Sequence, residues 1–283
     1  MPRYRLKVAY DGTDFHGWQR QVRSDGTELR TVQSVLQKAV VKAVRETAPV
    51  IGASRTDSGV HAIGQVAAFS SDRVFPIENL ARALTSRLPE DVQVTDAEVA
   101  ADDFDPIKTA RSKCYRYDFA CGRPPDVWPP LFDRHVVYRT AYDLDPSPMA
   151  EAGRRFVGEH DFAGVAQKHH GRDNTTRTIY ACTVTRPAPR RIRLEVVGSG
   201  FLYNMVRIIA GTLLEVGRGR FPAERVDEIL ATQNRRLAGQ TLPPQGLCHR
   251  WIHNGDEPLP PGFPERQPGT PDEPDQTGQE MDP

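Results

Sequence analysis

The sequence is poor in cysteine and contains no long apolar run. Four of its 283 residues are cysteines, and they form no CxxC pair and no His/Cys cluster at zinc-binding spacing. These absences argue against a disulfide scaffold and against a structural zinc site. No apolar stretch approaches the length of a membrane span, and the first residues, MPRYR, contain no apolar leader. The sequence therefore predicts a cytoplasmic protein with buried thiols, no membrane contact and no bound metal.

The sequence also lacks net charge, but the two signs are unevenly distributed. It contains 37 basic and 37 acidic residues. Residues 255–283 hold eight of the acidic residues and a single arginine, together with eight prolines and four glycines. This composition cannot form a core, so the segment is predicted to be a disordered acidic tail. Residues 1–254 keep 36 basic against 29 acidic residues, a surplus that favours attraction to nucleic-acid phosphates.

The spacing of apolar residues predicts strands and helices that interleave along the chain. Period-2 alternation or short apolar runs predict strands at 4–10, 65–69, 115–119, 179–186 and 191–197. Helical spacing predicts helices at 32–43, 76–88, 149–157 and 203–216, with a short helix beginning at Pro222. This order favours an α+β fold with mostly antiparallel sheets, in two similar α/β halves at residues 1–105 and 106–254.

The densest cluster of reactive side chains is the stretch GASRTDSGVHA at 52–62. Asp57 lies there between Thr56 and Ser58. Taken alone, the pattern is typical of an Asx turn in which Gly59 adopts a positive φ. However, Arg55 is close enough to keep the carboxylate ionised, and loops between core elements often carry function. Asp57 is therefore a candidate catalytic residue, with Arg55 beside it.

Two hydrolytic classes fit this cluster poorly. Aspartic proteases also contain Asp-Ser-Gly, but the residues before Asp57 are polar, whereas a protease dyad is buried at the end of an apolar strand. Arg55 would also oppose the shared proton that such a dyad needs. No second acidic residue has a comparable context, so a glycosidase with two carboxylates is not favoured.

Two residues of the second half are further candidates because of their surroundings. Arg207 is the single charged residue between Leu202 and Leu214, and an unpaired charge on so apolar a helix would be costly. It either reaches the surface along its aliphatic stem or pairs with an acid, and Asp57 is the obvious partner. Tyr115 lies where aromatic and basic residues alternate, which suits stacking on bases but also fits the core face of a sheet.

Together these segments resemble the tRNA pseudouridine synthases of the TruA family. The matching stretches follow the family's order over about residues 4–250, and RTDSGVHA with the later MVR block is their most specific part. They are YDG at 10–12, GWQRQ at 17–21, TVQ at 31–33, RTDSGVHA at 55–62, QV at 65–66, YRY at 115–117, HDF at 160–162, RTI at 177–179, NMVR at 204–207, Gly211, EVG at 215–217 and GL at 246–247.

The resemblance implies a pseudouridine synthase fold with a central RNA-binding cleft. It implies isomerisation of uridine to pseudouridine at positions 38, 39 and 40 in the anticodon stem-loop of tRNAs, without a metal or organic cofactor. By motif matching, Asp57 is the nucleophile, Arg207 pairs with it, Arg55 belongs to the catalytic loop and Tyr115 packs on the target base. The family forms homodimers that bind tRNA across both subunits. A catalytically silent RNA-binding module is the alternative, and the joint presence of Asp57, Tyr115 and Arg207 speaks against it.

One stretch departs from the family pattern. After Asp102-Asp103-Phe104 the family continues with a pattern that ends in Ala-Arg, whereas this chain reads DPIK at 105–108. Lys108 could supply the missing positive charge one position along. RNA contacts in this stretch are therefore expected to differ from those of the family.

Overall fold

The computed structural model describes residues 1–122, 131–167 and 174–255. Of the predicted acidic tail, Gly255 alone falls inside these ranges. The tail therefore lies outside the described residues, and its disorder stays a prediction.

Ten strands in the described ranges form one continuous sheet. They are β1 (Arg3–Tyr10), β2 (Ile51–Gly52), β3 (His61–Ser70), β4 (Val92–Ala100), β5 (Ala110–Cys121), β6 (Tyr138–Thr140), β7 (Gly158–Asp161), β8 (Thr176–Ala188), β9 (Arg191–Gly198) and β10 (Leu247–Asn254). Their order across the sheet is β4-β1-β3-β10-β5-β9-β8-β7, with β2 paired to β3 and β6 paired to β5.

The pairing of the strands is mostly antiparallel, as predicted. Two pairs are parallel, β3 with β10 and β5 with β6. Strand β10 comes from the end of the described chain and lies between β3 and β5, with Cys248 opposite His61 and His249 opposite Tyr115. The α+β fold is therefore confirmed, and β10 brings the loop before β3 close to β5.

Five α-helices occur in the described residues, close to their predicted positions. They are α1 (Val32–Val44), α2 (Ile77–Thr85), α3 (Pro146–Arg155), α4 (Met205–Gly217) and α5 (Arg225–Thr232). The N-cap of α1 is Thr31, whose Oγ1 accepts a hydrogen bond from the Ser34 amide. Helix α4 begins two residues later than predicted, because Asn204 adopts a left-handed conformation with φ of 60°. Among the described residues, no helix is long and apolar enough to cross a lipid bilayer.

Two apolar clusters hold the helices against the sheet. One lies between α1, α2 and strands β1, β3 and β4, and the other lies between α3, α4, α5 and strands β5, β8 and β9. Twelve of the thirteen residues of α4 are buried, which explains its apolar sequence, and Arg207 is the exception. All four cysteines are buried free thiols, as the sequence predicts. The division of the chain at residues 105 and 106 stays a prediction.

Candidate active site

Asp57 lies in the loop that joins β2 to β3, and both halves of the sheet fix the start of this loop. The Ala53 amide donates to Val66 O at 2.8 Å, and Gln65 Nε2 donates to Ser54 O at 2.7 Å. From β5, Lys113 Nζ donates to Ala53 O at 3.0 Å. The loop is therefore held by strands on both sides of β10 before it reaches Asp57.

The segment that follows β1 packs directly against the backbone of this loop. The Trp18 amide donates to Thr56 O at 3.1 Å. Gly17 has φ of +83°, and a Cβ there would lie 2.6 Å from Thr56 O. A Cβ on Gly12 would lie 2.1 Å from Val60 O. The glycines of the YDG and GWQRQ stretches are thus explained, because no other residue allows the two backbones to approach so closely.

Arg207 reaches the loop from the first turn of α4. Its Nε donates to Leu242 O at 2.6 Å, and its Nη1 donates to Asn204 Oδ1 at 2.6 Å. The same Nη1 lies 3.7 Å from Asp57 Oδ2, the distance of an ion pair rather than of a short hydrogen bond. The Arg207 side chain is 15% exposed and that of Asp57 is 28% exposed. The guanidinium therefore pairs with Asp57 inside the molecule and does not extend to the surface.

The environment of Asp57 opposes its ionisation. Burial raises the pKa of the Asp57 carboxyl above its ordinary value, and the nearby Arg207 guanidinium acts in the opposite direction. The net shift is upward, so removal from water outweighs the attraction of the arginine. The result is a weakly solvated carboxylate with one close cation among the described residues, an arrangement suited to a nucleophile or base.

We expect Asp57→Asn to be at least as stable as the parent protein near neutral pH. Because the folded-state pKa lies above the unfolded-state value, stability from this carboxyl is present below the unfolded pKa and declines as pH rises through the folded pKa. Asparagine cannot ionise and avoids this loss. The melting temperature of the variant at pH 7 should equal or exceed that of the parent, and the difference should shrink as pH falls toward about 3. A variant that melts well below the parent at pH 7 would contradict this reading.

Tyr115 lies on β5 opposite the Asp57 loop and is 7% exposed. Its hydroxyl lies 3.3 Å from Ser54 Oγ. Its ring meets Phe201 edge-on, with centroids 5.2 Å apart, and His249 at 4.8 Å. Burial raises the pKa of Tyr115 to about 12, so the phenol is neutral at physiological pH. By contrast, Tyr117 is a core residue whose hydroxyl donates to Pro243 O at 2.8 Å.

One open cleft of about 1290 Å³ contains all four residues predicted from the sequence. Asp57, Tyr115 and Arg207 are partly or largely buried where they line it. Arg55 also lines the cleft and is exposed, and within the described residues no hydrogen bond or ion pair engages its guanidinium. The volume exceeds the roughly 300–1,000 Å³ of a typical small-molecule site, so a nucleotide with parts of its neighbours can enter.

The replacement of the family's arginine by Lys108 stays a prediction. Ile107 lines the cleft, whereas Lys108 is exposed and outside the lining. Asp105 holds this stretch in a tight turn, because its Oδ1 accepts from the amides of Ile107 and Lys108. Elsewhere, Lys113 and Arg177 line the cleft and add positive charge.

Two features of the site were missed from the sequence. Ser54 bonds to Tyr115, and Asn204, which holds Arg207, is itself hydrogen-bonded through Nδ2 to Gln167 Oε1. No pattern in the sequence indicates this role of Asn204, because asparagine before a helix favours an N-cap in the β region, whereas this one is left-handed and makes no side-chain cap hydrogen bond. In the described ranges, no group of three or more His, Cys, Asp or Glu side chains is placed to hold a metal ion.

Comparison with known proteins supports the resemblance seen in the motifs. The family model described as "tRNA pseudouridine synthase" matches residues 7–106 and 152–251. A relative from Clostridium kluyveri named tRNA pseudouridine synthase A is 40% identical over 88% of this chain and 98% of its own length. One of the same name from Bacillus licheniformis is 39% identical over 87% of this chain and 95% of its own.

Among solved structures, this chain is similar to one in an H/ACA ribonucleoprotein bound to a substrate RNA containing 2′-deoxyuridine. The identity is 13% and the TM-score 0.32, over 75% of this chain and 44% of that one. The family model covers two segments that contain both Asp57 and Arg207, and the relatives align over nearly their whole lengths. The chain therefore belongs to the tRNA pseudouridine synthase family.

Proposed function

We propose that this protein isomerises uridine to pseudouridine at positions 38, 39 and 40 in the anticodon stem-loop of tRNAs. The observation that carries the proposal is the convergence of Asp57, Arg207 and Tyr115 in one cleft of a chain from this family. Release of tritium from tRNA labelled at uridine C5 tests it directly, because the C5 hydrogen must leave when carbon–carbon bonding replaces it. A catalytically silent RNA-binding module would bind the same tRNA without releasing tritium.

The chemistry needs one ionised carboxylate and no electron carrier. The C1′–N1 bond breaks, the base turns, a C1′–C5 bond forms, the proton at C5 is lost and N1 gains a proton. Atoms and oxidation state are conserved overall, so no co-reactant is consumed. We assign Asp57 as the nucleophile. Its ionised form would begin each of three reaction paths, which are attack at C1′, attack at C6 and a path through a glycal.

We assign Arg207 and Arg55 different parts in this reaction. Arg207 lies next to Asp57 and would keep it ionised and aimed, because two other oxygen atoms fix its guanidinium. Arg55 is exposed two residues before Asp57, so its charge is available to RNA phosphates or to the gap left by an extruded base.

We assign Tyr115 as the surface on which the target base packs. A uridine in a stem must leave its stack, and an aromatic ring beside the carboxylate would recover part of that cost. The pKa of Tyr115 is raised to about 12, so the neutral phenol acts through its ring and its contact with Ser54 rather than as a preformed base.

Variants of Tyr115 should separate the contribution of its ring from that of its hydroxyl. Tyr115→Phe keeps the ring, so we expect it to bind tRNA nearly as well as the parent. Tyr115→Leu removes the platform and should lose about 1–3 kcal/mol of binding to the extruded base, seen as a lower kcat/KM. Tyr117→Phe is the matched control, because it removes a phenol from the same strand outside the cleft. Equal kcat/KM for the Phe and Leu variants of Tyr115 would mean that the residue serves only the core.

We also propose that the protein acts in the cytoplasm as a homodimer, with one tRNA contacting both subunits. The family resemblance supports the dimer, and the location follows from the substrate. Sedimentation of the free protein tests the oligomeric state. Mixing an inactive Asp57 variant with an inactive RNA-contact variant tests whether one tRNA contacts both subunits. In a mixed dimer, one subunit would supply Asp57 and the other the RNA contact, so part of the turnover would be recovered.

A further inference from the structure

Tyr10 forms a buried hydrogen bond to a residue that lines the cleft. It is the last residue of β1 and is 5% exposed, and its hydroxyl lies 2.8 Å from Oγ1 of Thr56, which is also buried. Tyr10 does not line the cleft, although Thr56 does. Burial raises the pKa of Tyr10 above its ordinary value, so the phenol stays neutral and serves as a hydrogen-bonding group.

Thr56 is the residue immediately before Asp57, and it is held at two atoms. Its side chain meets Tyr10, and its carbonyl oxygen accepts from the Trp18 amide at 3.1 Å. On the other side of Asp57, Ser58 Oγ donates to Phe15 O at 3.1 Å. Asp57 is therefore the residue between two anchored neighbours, and its side-chain direction depends on both of them.

We infer that Tyr10 is a positioning residue for the reaction, acting through Thr56 to direct the Asp57 carboxylate toward the substrate. The inference rests on the role proposed above for Asp57. A reacting group displaced by about 1 Å can lose roughly a hundredfold in rate. In the described structure the Tyr10 hydroxyl is the side-chain partner of Thr56 Oγ1, so its loss removes one of the two anchors of Thr56 and leaves the neighbouring Asp57 less constrained.

Tyr10→Phe tests this role, with Tyr4→Phe as the matched control. Tyr4 lies on the same strand, is fully buried and outside the cleft lining, and its hydroxyl donates to Arg73 O at 3.1 Å and accepts from the Phe75 amide at 3.0 Å. Tyr10→Phe loses its hydrogen bond to Thr56 and Tyr4→Phe loses two, so the control should melt at a temperature at least as low as that of Tyr10→Phe. We expect Tyr10→Phe alone to lower kcat, by about tenfold to a hundredfold, with KM for tRNA within about twofold of the parent.

A double-mutant cycle with Thr56→Val separates positioning from general destabilisation. Thr56→Val alone should lower kcat as Tyr10→Phe does, and the double variant should be little worse than either single variant, because both changes break one bond. Equal kcat losses in Tyr10→Phe and Tyr4→Phe, or additive losses in the cycle, would overturn the inference. Full activity of Asp57→Asn would instead overturn the role of Asp57, and absence of tritium release by the parent protein would overturn the proposed function, so these failures are distinguishable.

Discussion

Asp57→Asn should abolish pseudouridine formation while the fold and tRNA binding remain nearly intact. The amide has the shape of the carboxylate but can neither attack carbon nor accept a proton at useful rates. We expect tritium release to fall by at least about 10⁴-fold, as is typical when a nucleophile is removed. Binding measured with tRNA that carries no tritium at C5 should give a dissociation constant within about threefold of that of the parent, because the phosphate contacts are unchanged.

Asp118→Asn is a suitable control for this experiment. Asp118 also pairs with arginines, with Arg116 Nε at 2.9 Å and Arg193 Nε at 2.8 Å, but it lies outside the cleft. Losing this pair should affect the melting temperature more than turnover. Appreciable tritium release by Asp57→Asn, with mass spectrometry excluding reversion to aspartate, would remove Asp57 from the chemical step.

The pairing of Asp57 with Arg207 could be predicted from the sequence because two local signals constrain it. An arginine inside an otherwise apolar helix needs a partner, and an aspartate in a polar loop between core elements can provide one. Their separation of 150 positions is no obstacle to this argument, since it depends on the cost of an unpaired charge rather than on distance. The structure places their closest atoms 3.7 Å apart.

The arrangement of the strands was harder to predict from local pattern. Periodicity identifies β1 and β9 because one face of each strand is more exposed to solvent than the other, but it carries no information about which strands lie side by side in the sheet. Strand β10 has buried residues on both faces, and its insertion between β3 and β5 depends on contacts distant in sequence. No pattern within residues 247–254 could reveal that this strand joins the Asp57 loop to Tyr115.

Supporting contacts around the site were also hidden from the sequence. The Tyr10–Thr56 and Asn204–Gln167 hydrogen bonds join residues that are distant in sequence, and each residue type has many other common uses. Sequence reasoning identifies groups with unusual chemical needs, such as a lone charge. It does not identify ordinary side chains whose role arises only from the partner they meet, so those appear first in the structure.

Arg207→Ala should damage turnover and stability together. The substitution leaves a partly buried carboxylate without its cation, and it also removes the bonds to Leu242 O and Asn204 Oδ1. Loss of one partner of a fully buried pair costs about 3–5 kcal/mol, and the exposure of both side chains should reduce this to about 2–3 kcal/mol. The pKa of Asp57 should rise further, because the group that opposes the effect of burial is gone.

The pH dependence of the Arg207 variants distinguishes an electrostatic role from a purely structural one. In Arg207→Ala, kcat at pH 7 should fall by about 10²–10³-fold, and the acidic limb of the pH–rate profile should move to higher pH as the carboxyl becomes harder to ionise. Arg207→Lys restores the charge, but the lysine cannot reach Leu242 O, Asn204 Oδ1 and Asp57 together. We therefore expect it to return the acidic limb toward its original pH and to recover only part of the rate. An alanine variant that loses rate with an unchanged acidic limb would show that Arg207 holds the loop but does not tune Asp57.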